Sequence, residues 1–304
     1  MKVLIAGAAG LIGTKLAAAL VGSGVEVAVL VRDVSRAARV LPGAALHVWD
    51  ATSGQPPMGA FDGVDGVVNL IGESISTGRW SEKRKKVLRD SRIVATRALV
   101  DAMRGLTTRP KVLVSASAVG YYGDRGDELL TETSAAGAGF LADLARDWEA
   151  EALRAQELGL RVVVVRTGVV LARDGGMLGK LLPVFRMGLG VRVGSGNQWF
   201  PWIHIDDEVA LIRHALTDAR AVGALNAVAP EPATNREFTS VLAATLSRPS
   251  LLTAPAFALR LLVGDKADEL LLASQRAMPV RTLESGFHFR YPLLRAALKA
   301  ALNP

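Results

Sequence analysis

Cysteine is absent from the 304 residues, so the chain forms no disulfide, carries no thiolate nucleophile and offers no sulfur ligand to zinc, an absence that accords with a reducing compartment. Aromatic residues make up 5% of the chain, and none interleaves with the densest basic run, Lys83-Arg84-Lys85-Lys86 with Arg89 and Arg92. The net charge of +7 therefore lacks the stacking platforms of a nucleic-acid site, and the run reads as a solvated helix face. His47, His204, His214 and His288 have no zinc-ligand spacing, and no metal is expected. No uncharged stretch reaches the ~18 residues of a membrane helix. Met1-Lys2 and the following apolar run, with Ala17-Ala18-Ala19 imitating a cleavage site, resemble a secretory signal. Lys15 interrupts that run and Gly7, Gly10 and Gly13 punctuate it, so the segment belongs to the fold. The expectation is a cytoplasmic protein with neither a membrane nor a nucleic-acid partner.

Half of the residues are hydrophobic and 21% are charged, enough to bury a substantial core. Apolar runs at Val3 to Ala6, Val25 to Val31, Leu46 to Trp49, Gly66 to Leu70, Lys111 to Ser115 and Arg161 to Arg166 predict strands. Helical patterns fall between them at Leu11 to Val21, Ser81 to Met103 with Ser81 as the cap, and Phe140 to Leu158 with Gly159 as the stop. The alternation predicts an α/β fold: a doubly wound parallel sheet with helices on both faces. Beyond Leu171 come a Gly-rich region, the Trp199-Phe200-Pro201-Trp202 segment, a helix from about Asp206 to Thr217 and a capping box at Thr234 to Glu237. The expected division is a Rossmann domain over 1–172 that also receives about 200–228. Residues 173–199 and 229–304 form a smaller, mostly helical lobe for a substrate or partner.

Gly7-Ala8-Ala9-Gly10-Leu11-Ile12-Gly13 follows a strand and opens a helix. In that setting Gly7 permits the tight turn, Gly10 lets backbone approach a pyrophosphate, and Gly13 lets helix pack on strand, with the Leu11 and Ile12 amides at the helix N-terminus. At the end of the second strand Arg32 comes before Asp33, with Arg36 nearby. A cation there pairs with a 2′-phosphate, which favours NADP over NAD. Asp50, at the end of the third strand, either meets an adenine edge or makes a turn.

The glycine spacing, Asn69-Leu70-Ile71-Gly72-Glu73, the segment Ser115 to Gly123, and Trp202-Ile203-His204-Ile205-Asp206-Asp207 together resemble the extended short-chain dehydrogenases. More narrowly, the chain resembles their atypical branch of epimerase family, NAD(P)-dependent epimerase/dehydratase-like proteins. Gln275, Pro279, Gly286-Phe287 and Phe289 resemble that branch's C-terminal domain of unknown function. The resemblance implies a nucleotide pocket formed by Gly7 to Gly13, Arg32, the Leu70-Ile71-Gly72 backbone and Arg92.

The usual enzymes of this superfamily place a Lys four residues after a Tyr, lowering the phenol pKa for proton exchange during hydride transfer. The three tyrosines, Tyr121, Tyr122 and Tyr291, are followed at that distance by Arg125, Gly126 and Arg295, and Phe140 to Leu158 contains neither Tyr nor Lys. Ser117 matches the position of a substrate-polarising serine. The replacement acid or base is sought in Tyr121, Tyr122 (with Arg125 as the cation) or Glu73, and His204 with Asp206 and Asp207 reads as helix capping. Two functions follow. One is an NADP-dependent oxidoreductase or epimerase acting on a small carbonyl or hydroxyl metabolite; the other is a non-catalytic NADP-sensing protein. A homo-oligomer is left open.

Overall fold

The unbroken apolar runs become strands buried on both faces, as a parallel sheet between helix layers requires. The structure, a computed structural model, describes residues 1–52, 54–250 and 252–302, with Arg36 described by its backbone alone. The central strands are β1 (Lys2–Ala6), β2 (Glu26–Val31), β3 (Ala45–Val48), β4 (Gly66–Asn69), β5 (Val112–Ala118), β6 (Arg161–Thr167) and β7 (Gly223–Ala227). They form one seven-stranded parallel sheet in the order β7-β6-β5-β4-β1-β2-β3. Val3 pairs with both Val27 and Gly66, and Ala6 with both Leu30 and Asn69. The strand order therefore reverses between β1 and β4, the switch point where a doubly wound sheet opens a crevice at its C-terminal edge.

Helix α1 (Leu11–Val21) buries Gly13, Leu16, Ala17 and Leu20 along one stripe. After α2 (Val34–Val40), α3 (Glu82–Arg104) begins at Ser81, whose hydroxyl accepts from the Arg84 amide. Helix α4 (Phe140–Leu153) tightens into a 3-10 turn over Arg154–Leu158 and stops at Gly159, whose φ of +84° lies in the left-handed region. One core layer is built from Leu4, Val67, Leu99, Met103, Leu113 and Val164.

Contacts divide the chain into two units. The first comprises 1–117, 146–165 and 209–225; the second comprises 118–145, 166–208 and 226–304. This differs from a boundary at residue 172. Segment 118–145 leaves the sheet after β5, and its Leu129–Leu130 pairs with Arg276–Ala277 of the tail. The second unit is comparable in length to the first. It holds α5 (Gly176–Arg186), α7 (Asn235–Thr245), α8 (Ala256–Val263), a π-helical turn over Ala267–Leu272, α9 (Val280–Glu284) and α10 (Leu294–Leu302), while α6 (Ile205–Thr217) begins in it. Thr234 and Glu237 form the full capping box at the start of α7. Leu171, Leu182, Phe185, Trp202, Phe238 and Leu298 make this unit's core. Among the described residues no helix is long and apolar enough to cross a membrane, and no three metal-ligating side chains come together.

Candidate functional site

The turn after β1 is defined by close approach. Gly7 has φ +84°, and a Cβ there would lie 2.7 Å from both the carbonyl carbon and the oxygen of Leu70 and 2.9 Å from the Ile71 nitrogen. A side chain at Gly13 would meet the Gly7 oxygen at 2.6 Å. These two glycines are set by packing. Gly10 is different: a Cβ there would touch only the Gly7 oxygen, at 3.4 Å, and would otherwise project into the open space in front of α1. Gly10 is also the N-cap of α1 and makes no side-chain capping bond, so the Leu11 and Ile12 amides lead the helix without a capping side chain. The cradle fits a pyrophosphate, because Gly10 leaves the room that any other residue would fill.

Leu70 is tied to the same turn, its amide donating to the Ala6 carbonyl at 2.8 Å. The Ile71 amide donates to Asn69 Oδ1 at 3.3 Å, and Asn69 Nδ2 donates to Thr96 Oγ1 at 2.8 Å. Trp148 Nε1 donates to the same Thr96 oxygen at 2.9 Å. Gly72 allows the Arg92 guanidinium to lie against the backbone: a Cβ at Gly72 would be 3.0 Å from its central carbon. Arg92 Nη2 donates to the Glu73 carbonyl at 2.9 Å, and Ser91 Oγ accepts from the Glu73 amide at 3.1 Å. Burial, aided by the like charge of Arg84, pulls the Arg92 guanidinium down to about 10 against the opposing pull of Glu73.

Arg32 stands at the end of β2 with its side chain 73% exposed, its Nη1 3.6 Å from Glu73 Oε1. Arg84 Nη1 lies 3.8 Å from the other Glu73 oxygen. The Glu73 carboxylate therefore sits between two guanidinium groups. The basic run of α3 is not wholly a solvated face, since Arg84 and Arg92 both fold onto the loop after β4. The family resemblance singled out Arg92 but not Arg84. Asp50 makes a turn: its Oδ1 accepts from the Thr52 amide at 3.0 Å and the Thr52 hydroxyl at 2.7 Å, bonds that hold the carboxyl below its usual range. The side chain of Arg36 lies outside the described residues.

Ser117, near the end of β5, is buried and donates to Glu149 Oε1 at 2.6 Å. Glu149 had read only as part of a helix. Tyr122 is a correction among the proton-exchange candidates. Its ring is fully buried, and its hydroxyl lies 2.7 Å from Asn226 Oδ1, 3.0 Å from the Thr131 carbonyl and 3.1 Å from Arg166 Nη1. Burial raises its pKa above the usual phenol value despite Arg166. The cation at the tyrosines is Arg166, which lies 3.5 Å from the Tyr121 ring centroid. Arg125 instead pairs with Glu128, at 2.5 Å. Tyr121, half-buried, stacks edge-on against Tyr122. Glu132 is buried and accepts from the amides of Asn226, Arg281 and Thr282, anchoring α9.

His204 Nδ1 accepts from the Asp206 amide at 3.1 Å. Asp207 does not act as a cap: its carboxylate accepts from the Arg290 and Tyr291 amides at 2.8 and 2.9 Å, and burial raises its pKa. The second unit contains a cleft of about 430 Å³ lined by Gly120, Gly123, Ser195, Gln198, Glu269 and Gln275 among others. Gln198 Nε2 is committed to the Val193 and Leu271 carbonyls, leaving its amide oxygen as an acceptor. Glu269 accepts from the Phe140 and Leu141 amides at 3.0 and 2.7 Å, so an internal carboxylate fills the N-terminus of α4.

Residues 3–228 match the NAD dependent epimerase/dehydratase family, and residues 254–301 match a domain of unknown function, DUF1731. An epimerase family protein of Mycobacterium leprae is 42% identical over 299 residues, covering 98% of this chain and 95% of its own. The human epimerase family protein SDR39U1 is 39% identical over 304 residues, covering 98% and 99%. The crystal structure of human SDR39U1 (isoform 2) with NADPH matches at a TM-score of 0.88 and 37% identity over 100% of both chains. The structure of Thermotoga maritima UDP-glucose 4-epimerase with UDP-glucose shares the fold, with a TM-score of 0.81 at 17% identity over 99% and 97%. The chain belongs to the NAD dependent epimerase/dehydratase family, in the branch that carries the DUF1731 domain at its C-terminal end.

Proposed function

We propose that this protein binds NADP(H) and uses it as an oxidoreductase or epimerase acting on a small metabolite that carries a hydroxyl or carbonyl group. The observation that carries the reading is the glycine turn pressed against Leu70 and Ile71, with room for a pyrophosphate at Gly10 and a guanidinium, Arg32, at the end of β2. The crystal structure of human SDR39U1 with NADPH supports NADP over NAD. The bound nicotinamide would supply the hydride donor or acceptor.

The chain's own residues divide the remaining work. Gly10 and the α1 N-terminus seat the pyrophosphate, and Arg32 takes the 2′-phosphate. Ser117, oriented by Glu149, holds the substrate oxygen. Tyr121 moves the proton, because the Tyr122 hydroxyl is enclosed by its own partners and the Glu73 carboxylate is held between Arg32 and Arg84, at the phosphate end of the nucleotide. The test is turnover with NADPH on a carbonyl panel by the parent and by a variant combining Ser117→Ala, Tyr121→Phe, Tyr122→Phe and Glu73→Gln. Full turnover by the combined variant contradicts this assignment.

A second reading, a protein that senses NADP without turnover, is favoured by the buried phenol of Tyr122 and the missing lysine of the usual dyad. Nucleotide binding with no hydride transfer to any member of the panel would select it.

A further inference from the structure

Three arginines of the first unit converge on one residue, Glu73, two of them on its carboxylate. Arg32 and Arg84 approach opposite oxygens of Glu73 at 3.6 and 3.8 Å, and Arg92 donates to the carbonyl of the same residue. The two carboxylate distances exceed hydrogen-bond range, so these are ion pairs without a shared proton. Arg84 is the more enclosed of the pair, its side chain 22% exposed against 73% for Arg32. Its Nη2 is spent on the Ser74 carbonyl at 2.6 Å. Its Nε is buried and has no hydrogen-bond partner among the described residues. A buried guanidinium N–H left unsatisfied is costly, and here it belongs to a side chain already drawn towards an anion.

The local charge is uneven: two guanidinium groups, of Arg32 and Arg84, share the Glu73 carboxylate, and the buried guanidinium of Arg92 lies on the backbone carbonyl of the same residue, while Asp50 adds a negative charge that acts on Arg32. A phosphate monoester carries about −1.5 to −2 at neutral pH and offers three acceptor oxygens, which suits two guanidinium groups that otherwise share one carboxylate. Among the groups of a dinucleotide, only the 2′-phosphate of NADP(H) is such a monoester.

We propose that Arg84 is a second seat for the 2′-phosphate of NADP(H), and that the Glu73 carboxylate, which bridges Arg84 and Arg32, is the counter-anion that this phosphate displaces. The inference rests on the NADP reading above and adds a specificity determinant to it. Arg32 and Arg84 close on the phosphate from the strand end and from the first turn of α3. Glu73 holds the two cations in place and sets the cost of admitting a second anion. A nucleotide without the phosphate leaves the Glu73 pairs intact and gains nothing from Arg84.

The test is calorimetric titration of the full chain with NADPH and NADH at fixed ionic strength, using the parent and the variants Arg84→Ala, Arg84→Lys and Glu73→Gln. The expected result for Arg84→Ala is a loss of NADPH affinity of about tenfold or more, with NADH changed by less than about twofold. Arg84→Lys, which keeps the charge and the helix start, retains part of the preference. Glu73→Gln tightens NADPH severalfold, because no carboxylate has to be displaced. A parent that prefers NADPH, with the same NADPH-to-NADH ratio in Arg84→Ala and Glu73→Gln, overturns the Arg84 and Glu73 roles and leaves the NADP reading standing. Equal weakening of both nucleotides by Arg84→Ala overturns the specificity role in favour of a structural one. A parent that binds neither nucleotide overturns the NADP reading itself and this inference with it.

Discussion

Ser117 Oγ donates to Glu149 Oε1 at 2.6 Å, joining the end of β5 to α4 through two buried side chains. A hydrogen bond to a buried carboxylate is worth more than a neutral one, and losing its donor leaves the carboxylate less well satisfied. Ser117→Ala is expected to cost about 1–3 kcal/mol of stability and to lower kcat while leaving the NADPH dissociation constant unchanged. Chemical denaturation and single-turnover measurements on the same preparation check both parts. An unchanged midpoint would show that Glu149 gains nothing from the serine.

The two adjacent phenols separate in the same way. Tyr122→Phe removes a hydroxyl that meets Asn226, the Thr131 carbonyl and Arg166, so it is expected to destabilise the protein by about 1–3 kcal/mol. Because burial raises the Tyr122 pKa, this phenol stays protonated through neutral pH and contributes no ionisation to the pH profile of kcat. Tyr121→Phe is expected to be mild for stability and to lower turnover. The reverse pattern would return the proton-transfer role to Tyr122.

The glycines are expected to divide between folding and binding. Gly10→Ala meets only the Gly7 oxygen, at 3.4 Å, so the fold survives while the methyl group occupies the pyrophosphate approach and nucleotide affinity collapses. Gly13→Ala brings a methyl to 2.6 Å from the Gly7 oxygen and damages the fold itself. Circular dichroism melting beside nucleotide titration distinguishes the two; a Gly10→Ala protein with parental affinity would remove the pyrophosphate from this turn.

Glu208 carries a pH prediction. One of its oxygens accepts from the Thr167 hydroxyl at 2.9 Å, the other is buried without a hydrogen-bond partner among the described residues, and burial pushes its pKa up to about 8. The unfolded chain ionises this group from its ordinary value of 4.5 upwards, whereas the folded chain keeps the proton until about 8. Between those values the folded state binds the extra proton. Stability from this group is therefore fully present below 4.5 and falls as pH rises to about 8, by up to about 1.4 kcal/mol per pH unit. Glu208→Gln removes that fall, so the difference between variant and parent grows in the variant's favour from pH 5 to pH 8. Parallel denaturation curves across this range would contradict the buried, protonated carboxyl.

Much of the fold was legible because it is written locally. The apolar runs of β1 and β2, the glycine stop after α4, the Ser81 cap and the Thr234–Glu237 box all lie within a few residues of the structure they determine. The features that shape the candidate site join residues far apart in the chain and leave no periodic trace. Ser117 with Glu149, Thr96 with both Asn69 and Trp148, and Glu132 with Thr282 are such pairs. Asp207 shows the same limit: its position at a helix start suggested a cap, yet its carboxylate is used by the backbone of Arg290 and Tyr291. Arg84 was hidden in a basic run, Lys83 to Lys86 with Arg89 and Arg92, whose spacing does not distinguish the members that fold onto the loop after β4 from those that face solvent.

The central claim is a nicotinamide nucleotide held at the β1 turn with its phosphate on Arg32. The most direct measurement is titration of the full chain with NADPH, NADP, NADH and NAD, in parallel with Arg32→Ala. The account predicts tight binding of NADP(H) and a loss of at least about tenfold that is confined to the phosphorylated pair in the variant. Absence of binding by all four nucleotides would contradict it, and equal affinity of parent and variant for NADPH would remove Arg32 from the site.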